Sequence, residues 1–287
     1  MTDSFTADAT LARPENRARR VLVTGAAGRI GSYFAAHAPD RYDLRLMVQD
    51  VAQGEAIAAY GEVVVADLGD LDRLKDLCQG IDTVVHLAGD PSPDATWSSL
   101  LQTNIVGTYH TVVAAKAAGC RRVVYASSIH AVSGYPADVQ VKTHEPVNPG
   151  DLYGVSKCFG EALGRYMAEQ EGLSVIALRI GAFQPLETVQ QDDGLPYLDA
   201  FVSQRDLHQL IVRCINAEGV RFAVLHGLSD NRFKRLDISD ARALVGYAPQ
   251  DDALEELPHL KDLGVREAVN AHNQSDEGRE SGLRDDV

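Results

Sequence analysis

Lysine is scarce in this chain: it supplies six of the 27 basic residues, set against 41 aspartates and glutamates in 287 residues. The net charge of −14 argues against nucleic acid and anionic membrane as partners, because a surface of that sign repels phosphate. Cysteine is sparse as well. Cys78, Cys120, Cys158 and Cys214 form no Cys-x-x-Cys pair and no metal-ligand spacing. No metal is expected, and free thiols in a reducing compartment are. No apolar run reaches the length that crosses a bilayer. Residues 1–19 are polar and mixed in charge, without the apolar centre of a signal peptide. The expectation is a soluble cytoplasmic protein, and no internal repeat complicates it.

What is present fits one large domain or two small ones. Hydrophobic residues make up 45% of the chain, enough for a sizeable core. From Val21 onward, short apolar runs alternate with amphipathic stretches. The pattern predicts strands at 20–24, 43–48, 62–66, 82–87, 121–126 and 173–178, and helices near 29–37, 70–79, 97–118 and 152–171. Such alternation implies an α/β fold, a doubly wound parallel sheet covered on both faces, with ligands at the carboxyl ends of its strands. Residues 1–19 read as a disordered leader and 272–287 as a disordered tail.

The chemistry gathers around Leu152-Tyr153-Gly154-Val155-Ser156-Lys157. Residues four apart share a helix face, so the Lys157 ammonium can stand beside the Tyr153 phenol. An ordinary tyrosine, with a pKa of about 10, is a poor base near neutrality, and nearby positive charge favours its phenolate. Upstream, the strand signal Arg20 to Thr24 runs directly into Gly25-Ala26-Ala27-Gly28-Arg29-Ile30-Gly31 and a helical run. Glycines at such a junction let backbone amides approach a pyrophosphate at a helix N-terminus.

Together TGAAGRIG (24–31), VVHLAG (84–89), Asn104, YASS (125–128) and YGVSK (153–157) resemble the extended short-chain dehydrogenase/reductases, the family of NAD-dependent sugar epimerases and dehydratases. The match spans roughly residues 20–182. SSIHAVSGY followed by LYGVSKCFGE most resembles uronate dehydrogenase and related aldose dehydrogenases. The resemblance implies a Rossmann-type domain over 20–182, a small C-terminal substrate lobe interleaved with it over 183–271, and NAD as cofactor with NADP as the alternative. It implies Ser128, Tyr153 and Lys157 as the catalytic set oxidising C1 of a cyclic aldose or hexuronate. Cofactor contacts are expected from Gly25, Gly28, Arg29, Ile30, Gly31, Asp50, Asp67, Leu68, Leu87, Ala88, Gly89, Asn104, Tyr153, Lys157 and Ile180. Substrate contacts are expected from Ser92, Ser128, His130 and Ser203.

Several of these carry a second reading. Asp50 lies a residue or two late for the ribose, and Val48 or Gln49 can hold that position instead. Asp67 suits a helix cap, Ser203 suits another, and a histidine such as His130 is commonly a loop residue. Uronate dehydrogenases place an arginine after the sixth strand. Here LETVQQDDGLPYLD (186–199) has four acidic residues and no arginine, leaving Arg205 as the substitute clamp for a sugar carboxylate. The rival activities are a sugar epimerase or dehydratase, reduction of another small carbonyl compound, and a non-catalytic NADP-binding regulator. The partner is then a small sugar, and the family's usual contacts through the helices at 97–118 and 152–171 imply a homo-oligomer.

Overall fold

Runs such as Val21-Leu22-Val23 and Val123-Val124 are buried on both sides of the pleat, as strands covered by two helical layers require. The structure is a computed structural model that describes residues 18–38, 40, 42–190 and 197–257. The chain runs β1 (Arg19–Thr24), α1 (Arg29–His37), β2 (Tyr42–Val48), α2 (Val51–Glu55), β3 (Glu62–Val65), α3 (Leu71–Leu77) and β4 (Thr83–His86). It continues through α4 (Trp97–Leu100), a π-helical turn (Leu101–Val106), α5 (Gly107–Ala117), β5 (Arg122–Ser128) and α6 (Leu152–Glu169). Then come β6 (Ser174–Ile180), β7 (Ala182–Gln184), α7 (Leu186–Gln190), β8 (Phe201–Ser203) and α8 (Gln204–Asn216). β9 (Phe222–Gly227), α9 (Ser239–Val245) and α10 (Ala253–Glu256) follow.

Seven strands pair in the order β3-β2-β1-β4-β5-β6-β9, every neighbour parallel. The order reverses at β1, so the connections from β1 and β4 leave in opposite directions and open a crevice above their carboxyl ends. One face packs Phe34 of α1 and Leu207, Leu210 and Ile211 of α8 against Val23, Leu46, Val124 and Ile176. The other packs Leu74 of α3, Val112 of α5 and Met167 of α6 against Leu22, Met47, Val123 and Val175. Each such fully buried large side chain stabilises the fold by roughly 1.5–3 kcal/mol.

The expected strands and helices up to β6 are all present, with ends shifted by a residue or two. Beyond residue 182 the chain does more than build a lobe. β9 joins the main sheet from Val175↔Phe222 to Ile180↔Gly227, and α8 covers the face it shares with α1. The smaller unit is the two-stranded sheet β7–β8, with Val189, Phe201, Ala253 and Leu257 packed together beside it. The leader (apart from Ala18 and Arg19), the tail, and residues 191–196 of the acidic stretch lie outside the described residues.

Candidate active site

The crevice is a cleft of about 1010 Å3 running from the end of β2 across the β1–α1 loop to the ends of β5 and β6. Glycine shapes its floor. Gly25 has φ +67°, and a Cβ there would lie 2.8 Å from the Ala88 amide nitrogen. At Gly31 a Cβ would lie 2.4 Å from the Gly25 carbonyl oxygen, so α1 starts hard against the loop. Gly28 caps α1 with no side-chain hydrogen bond to its first amides, and no acidic residue occupies its first turn. Those free donors and the positive helix end suit a pyrophosphate. Gly25, Gly28, Arg29, Ile30 and Gly31 all line the cleft, as do Leu68, Leu87, Ala88, Gly89 and Ile180. The residues present fit a dinucleotide.

At its far end the cleft is lined by Ser128, His130, Tyr153 and Lys157. β5 delivers Ser127 and Ser128 to opposite faces. Ser127 donates to Glu161 Oε1 (2.6 Å), which also accepts from Arg179 Nε (2.9 Å), while Arg179 Nη2 reaches Glu161 Oε2 (2.8 Å). This buried, bidentate pair ties α6 to β6 beneath the cleft. Ser128 instead accepts from the His130 amide at 3.2 Å, and its hydroxyl is near enough to the Tyr153 phenol to favour the ionised form.

Asp151 organises the start of α6. Its Oδ1 accepts from the Gly154 amide (2.7 Å), and its Oδ2 accepts from His130 Nδ1 (2.6 Å). That bond places the ring proton on Nδ1 and leaves Nε2 of neutral His130 as an acceptor. The His130 ring meets Tyr153 edge-on, with centroids 5.3 Å apart. Gly154 allows this contact, since a Cβ on it would lie 2.2 Å from the His130 carbonyl oxygen. Gly154→Ala is therefore expected to cost roughly 1–3 kcal/mol by overpacking and to lower turnover as α6 is pushed from the turn. Urea unfolding and steady-state rates measure both effects.

Lys157 Nζ lies 5.5 Å from the Tyr153 ring centroid and 5.3 Å from that of Tyr125. Burial lowers its pKa to about 8. Burial raises that of Tyr153, the Ser128 hydroxyl opposes the rise, and the carboxylates of Asp151 and Asp90 add to it. The balance lies above the ordinary tyrosine value, so these protein groups alone do not make the phenol a base near neutrality.

Five expected contacts fall elsewhere. Asp50 caps α2 by accepting from Gln53 N at 3.0 Å, and the cleft is lined there by Gln49 and Gln53. Asp67 folds onto the Gly69 amide (2.6 Å), while the cap of α3 is Asp70. Asn104, buried in the π-turn, clasps the backbone of Asp90 and donates to Ser156 Oγ (3.0 Å). It positions the wall beside Gly89 and Lys157 and does not line the cleft. Ser92 sits in the adjoining loop, its hydroxyl accepting from the Asp94 amide, also off the cleft wall. Ser203 caps α8 and is held by Asp251, so it is structural. Arg205 is spent on the same Asp251 and is 54% exposed, so it does not replace the missing clamp. Val48 and Gln49, the alternatives to Asp50, do line the cleft, and the residues not anticipated at the site are Asp90 and Asp151. Only Asp151, three residues before Gly154 in a cap pattern, left a local signal.

The chain's residues 21–183 match the model of the NAD dependent epimerase/dehydratase family. It is 36% identical over 253 residues to an NAD-dependent glucose-6-phosphate dehydrogenase of Haloferax volcanii, covering 82% of this chain and 94% of that one. It is 33% identical over 255 residues to an L-arabinose 1-dehydrogenase (NAD(P)(+)) of the same organism, covering 82% and 97%. The crystal structure of a glucuronic acid dehydrogenase from Chromohalobacter salexigens superposes with a TM-score of 0.75 at 30% identity, covering 91% of this chain and 92% of that one. No helix among the described residues is long and apolar enough to cross a membrane. By sequence and by fold, the chain belongs to the NAD dependent epimerase/dehydratase family.

Proposed function

We propose that this protein oxidises C1 of a cyclic sugar to its lactone, with Ser128, Tyr153 and Lys157 as the catalytic set. The observation that carries the reading is the convergence of Ser128, Tyr153 and Lys157 in the cleft that the glycine loop also lines, with Lys157 Nζ 5.5 Å from the Tyr153 ring centroid. Bound NAD+ supplies the hydride acceptor and a positively charged ring. Ser128 holds the C1 hydroxyl. Tyr153 accepts its proton as the C1–H bond is lost and the carbonyl forms. Lys157, fixed between two aromatic rings, contributes positive charge that supports the phenolate and donors for the nicotinamide ribose. Gln49 and Gln53 line the cleft at the end of β2, where Gln49 would meet the adenosine ribose of NAD. The relatives that oxidise glucose 6-phosphate and L-arabinose support a sugar substrate. Four free cysteines accord with a reducing compartment, and cytoplasmic residence and a homo-oligomeric state belong to the same proposal.

The test is NADH absorbance with purified protein, NAD+ and a panel of sugars. Net NADH formation from any aldose or sugar acid is the expected result. Absence of NADH with every sugar, together with NAD that copurifies and stays bound, replaces this reading with an epimerase or dehydratase that returns its hydride internally.

A further inference from the structure

Asp90 is the one carboxylate among the described residues lining the cleft, where Arg29, His130 and Lys157 are the other chargeable groups apart from Tyr153 and Tyr197. Its mounting is rigid. The Asp90 amide donates to Asn104 Oδ1 (2.8 Å) and its carbonyl accepts from Asn104 Nδ2 (3.0 Å). Oδ1 accepts from the Ser92 amide (3.1 Å) and Oδ2 from the Ser99 hydroxyl (2.5 Å). Pro91 and Pro93 follow, each with φ set by its ring. A carboxylate has about four acceptor sites on its two oxygens, so one on each oxygen stays open. Asp90 is also close enough to the reacting centre for its charge to raise the Tyr153 pKa.

Fixed, paired acceptors of this kind match two neighbouring hydroxyls of a sugar ring, which are neutral donors. His130 Nε2, an acceptor when the ring is neutral with its Nδ1 proton on Asp151, then matches a third. An anionic sugar needs the opposite equipment, a guanidinium or ammonium free to pair with it. Arg29 has only neutral acceptors, Phe183 O (2.9 Å) and Gln184 Oε1 (2.6 Å), and as the first residue of α1 it is placed to meet the pyrophosphate. Lys157 is buried behind Tyr153, and Arg205 is held outside by Asp251.

We propose that Asp90 is a specificity-determining residue: it binds vicinal hydroxyls of an uncharged aldose and repels sugars that carry a carboxylate or a phosphate. This inference rests on the dehydrogenase reading above and narrows its substrate class. Among the relatives described, it puts the arabinose enzyme nearer in substrate chemistry than the glucose 6-phosphate or glucuronic acid enzymes.

The experiment measures kcat/KM of the full chain with NAD+ for neutral aldopentoses and aldohexoses, hexuronates, and aldose 6-phosphates, before and after Asp90→Asn. The best neutral aldose is expected to exceed both anionic classes by at least about tenfold, the scale that one mismatched polar contact sets. Asp90→Asn, which keeps an acceptor for the Ser92 amide, is expected to shrink that ratio by about tenfold or more, lowering the neutral rate and raising the anionic one. A wild-type preference for a hexuronate or a sugar phosphate overturns the proposal and leaves the dehydrogenase reading standing. An unchanged ratio in a folded Asp90→Asn protein overturns it too. NADH from no sugar at all removes the underlying reading and this inference with it. Should the variant not fold, the wild-type ratio alone decides.

Discussion

Replacing Tyr153 with phenylalanine is expected to lower kcat by roughly 10²–10⁴-fold, the range typical of a lost general base. NAD+ binding should change little. The substitution removes one oxygen and leaves the ring where His130 and Lys157 pack against it, so the fold is retained. Burial raises the pKa of the phenol above its ordinary value, and its ionisation depends on positive charge brought or kept nearby. The wild-type rate should therefore rise with pH as the proton is lost, whereas the residual rate of the variant should not follow that titration. Single-turnover NADH formation across pH, with calorimetric NAD+ binding, separates chemistry from affinity. Turnover within tenfold of wild type would remove Tyr153 from its role.

The second large effect is on stability in acid. His86 bridges Thr24 Oγ1 (2.8 Å) and Thr108 Oγ1 (3.2 Å) beneath the β1 and β4 ends. His226 is bonded through Nδ1 to the Asp237 carbonyl (2.7 Å). Burial drives the pKa of His86 from 6.5 to about 3, with Lys157 adding repulsion, and that of His226 from 6.5 to about 4. Both rings are thus neutral in the fold, while in the unfolded chain they bind protons once the pH falls below 6.5. The unfolded state then holds more protons, and stability is lost as pH falls. The slope is about 1.4 kcal/mol per pH unit for each ring. Between pH 6.5 and about 4 the two remove on the order of 5 kcal/mol, a large part of an ordinary domain's 5–15 kcal/mol. His208 shifts the same way, to about 4, but is more exposed and adds less. Urea midpoints should drop steeply from neutrality to a pH of about 5. A flat profile there would mean that these rings are charged or hydrated in the fold.

The sheet up to β6 was legible because its signals are local: apolar runs, a glycine turn, and helices of clear period. The Tyr153–Lys157 pair was legible for the same reason, as a spacing within one helix. The rest depends on tertiary placement. Asp50 and Gln49 differ by one residue, and the twist at the end of β2 decides which of them lines the cleft. Asp67 and Asp70 are equally good caps by type, and the start of α3 selects Asp70. Ser203 and Arg205 read as substrate residues until Asp251, nearly fifty positions later, is found beside both. Nothing near Asp90 marks it, since Ser99 and Asn104 build its mounting from another element. β9 has an apolar run of its own, but its partner β6 lies across the whole substrate segment.

The π-turn at Leu101–Val106 also constrains insertions and deletions. A π-turn holds one residue more than the regular spiral, and removing it would relax the backbone into an ordinary α-helix. The wide turn absorbs its extra residue locally, so the deletion would leave α4 and α5 in place while changing which side chains of 101–106 face inward. The core that Val112 and Ala115 share with Leu74 would then hold, but Asn104 would lose its place against Asp90 and Ser156. The number of residues between Trp97 and Ala117 is therefore fixed by two demands that a regular helix cannot meet together. Deletions in this segment should be tolerated less well than substitutions at its solvent-facing positions.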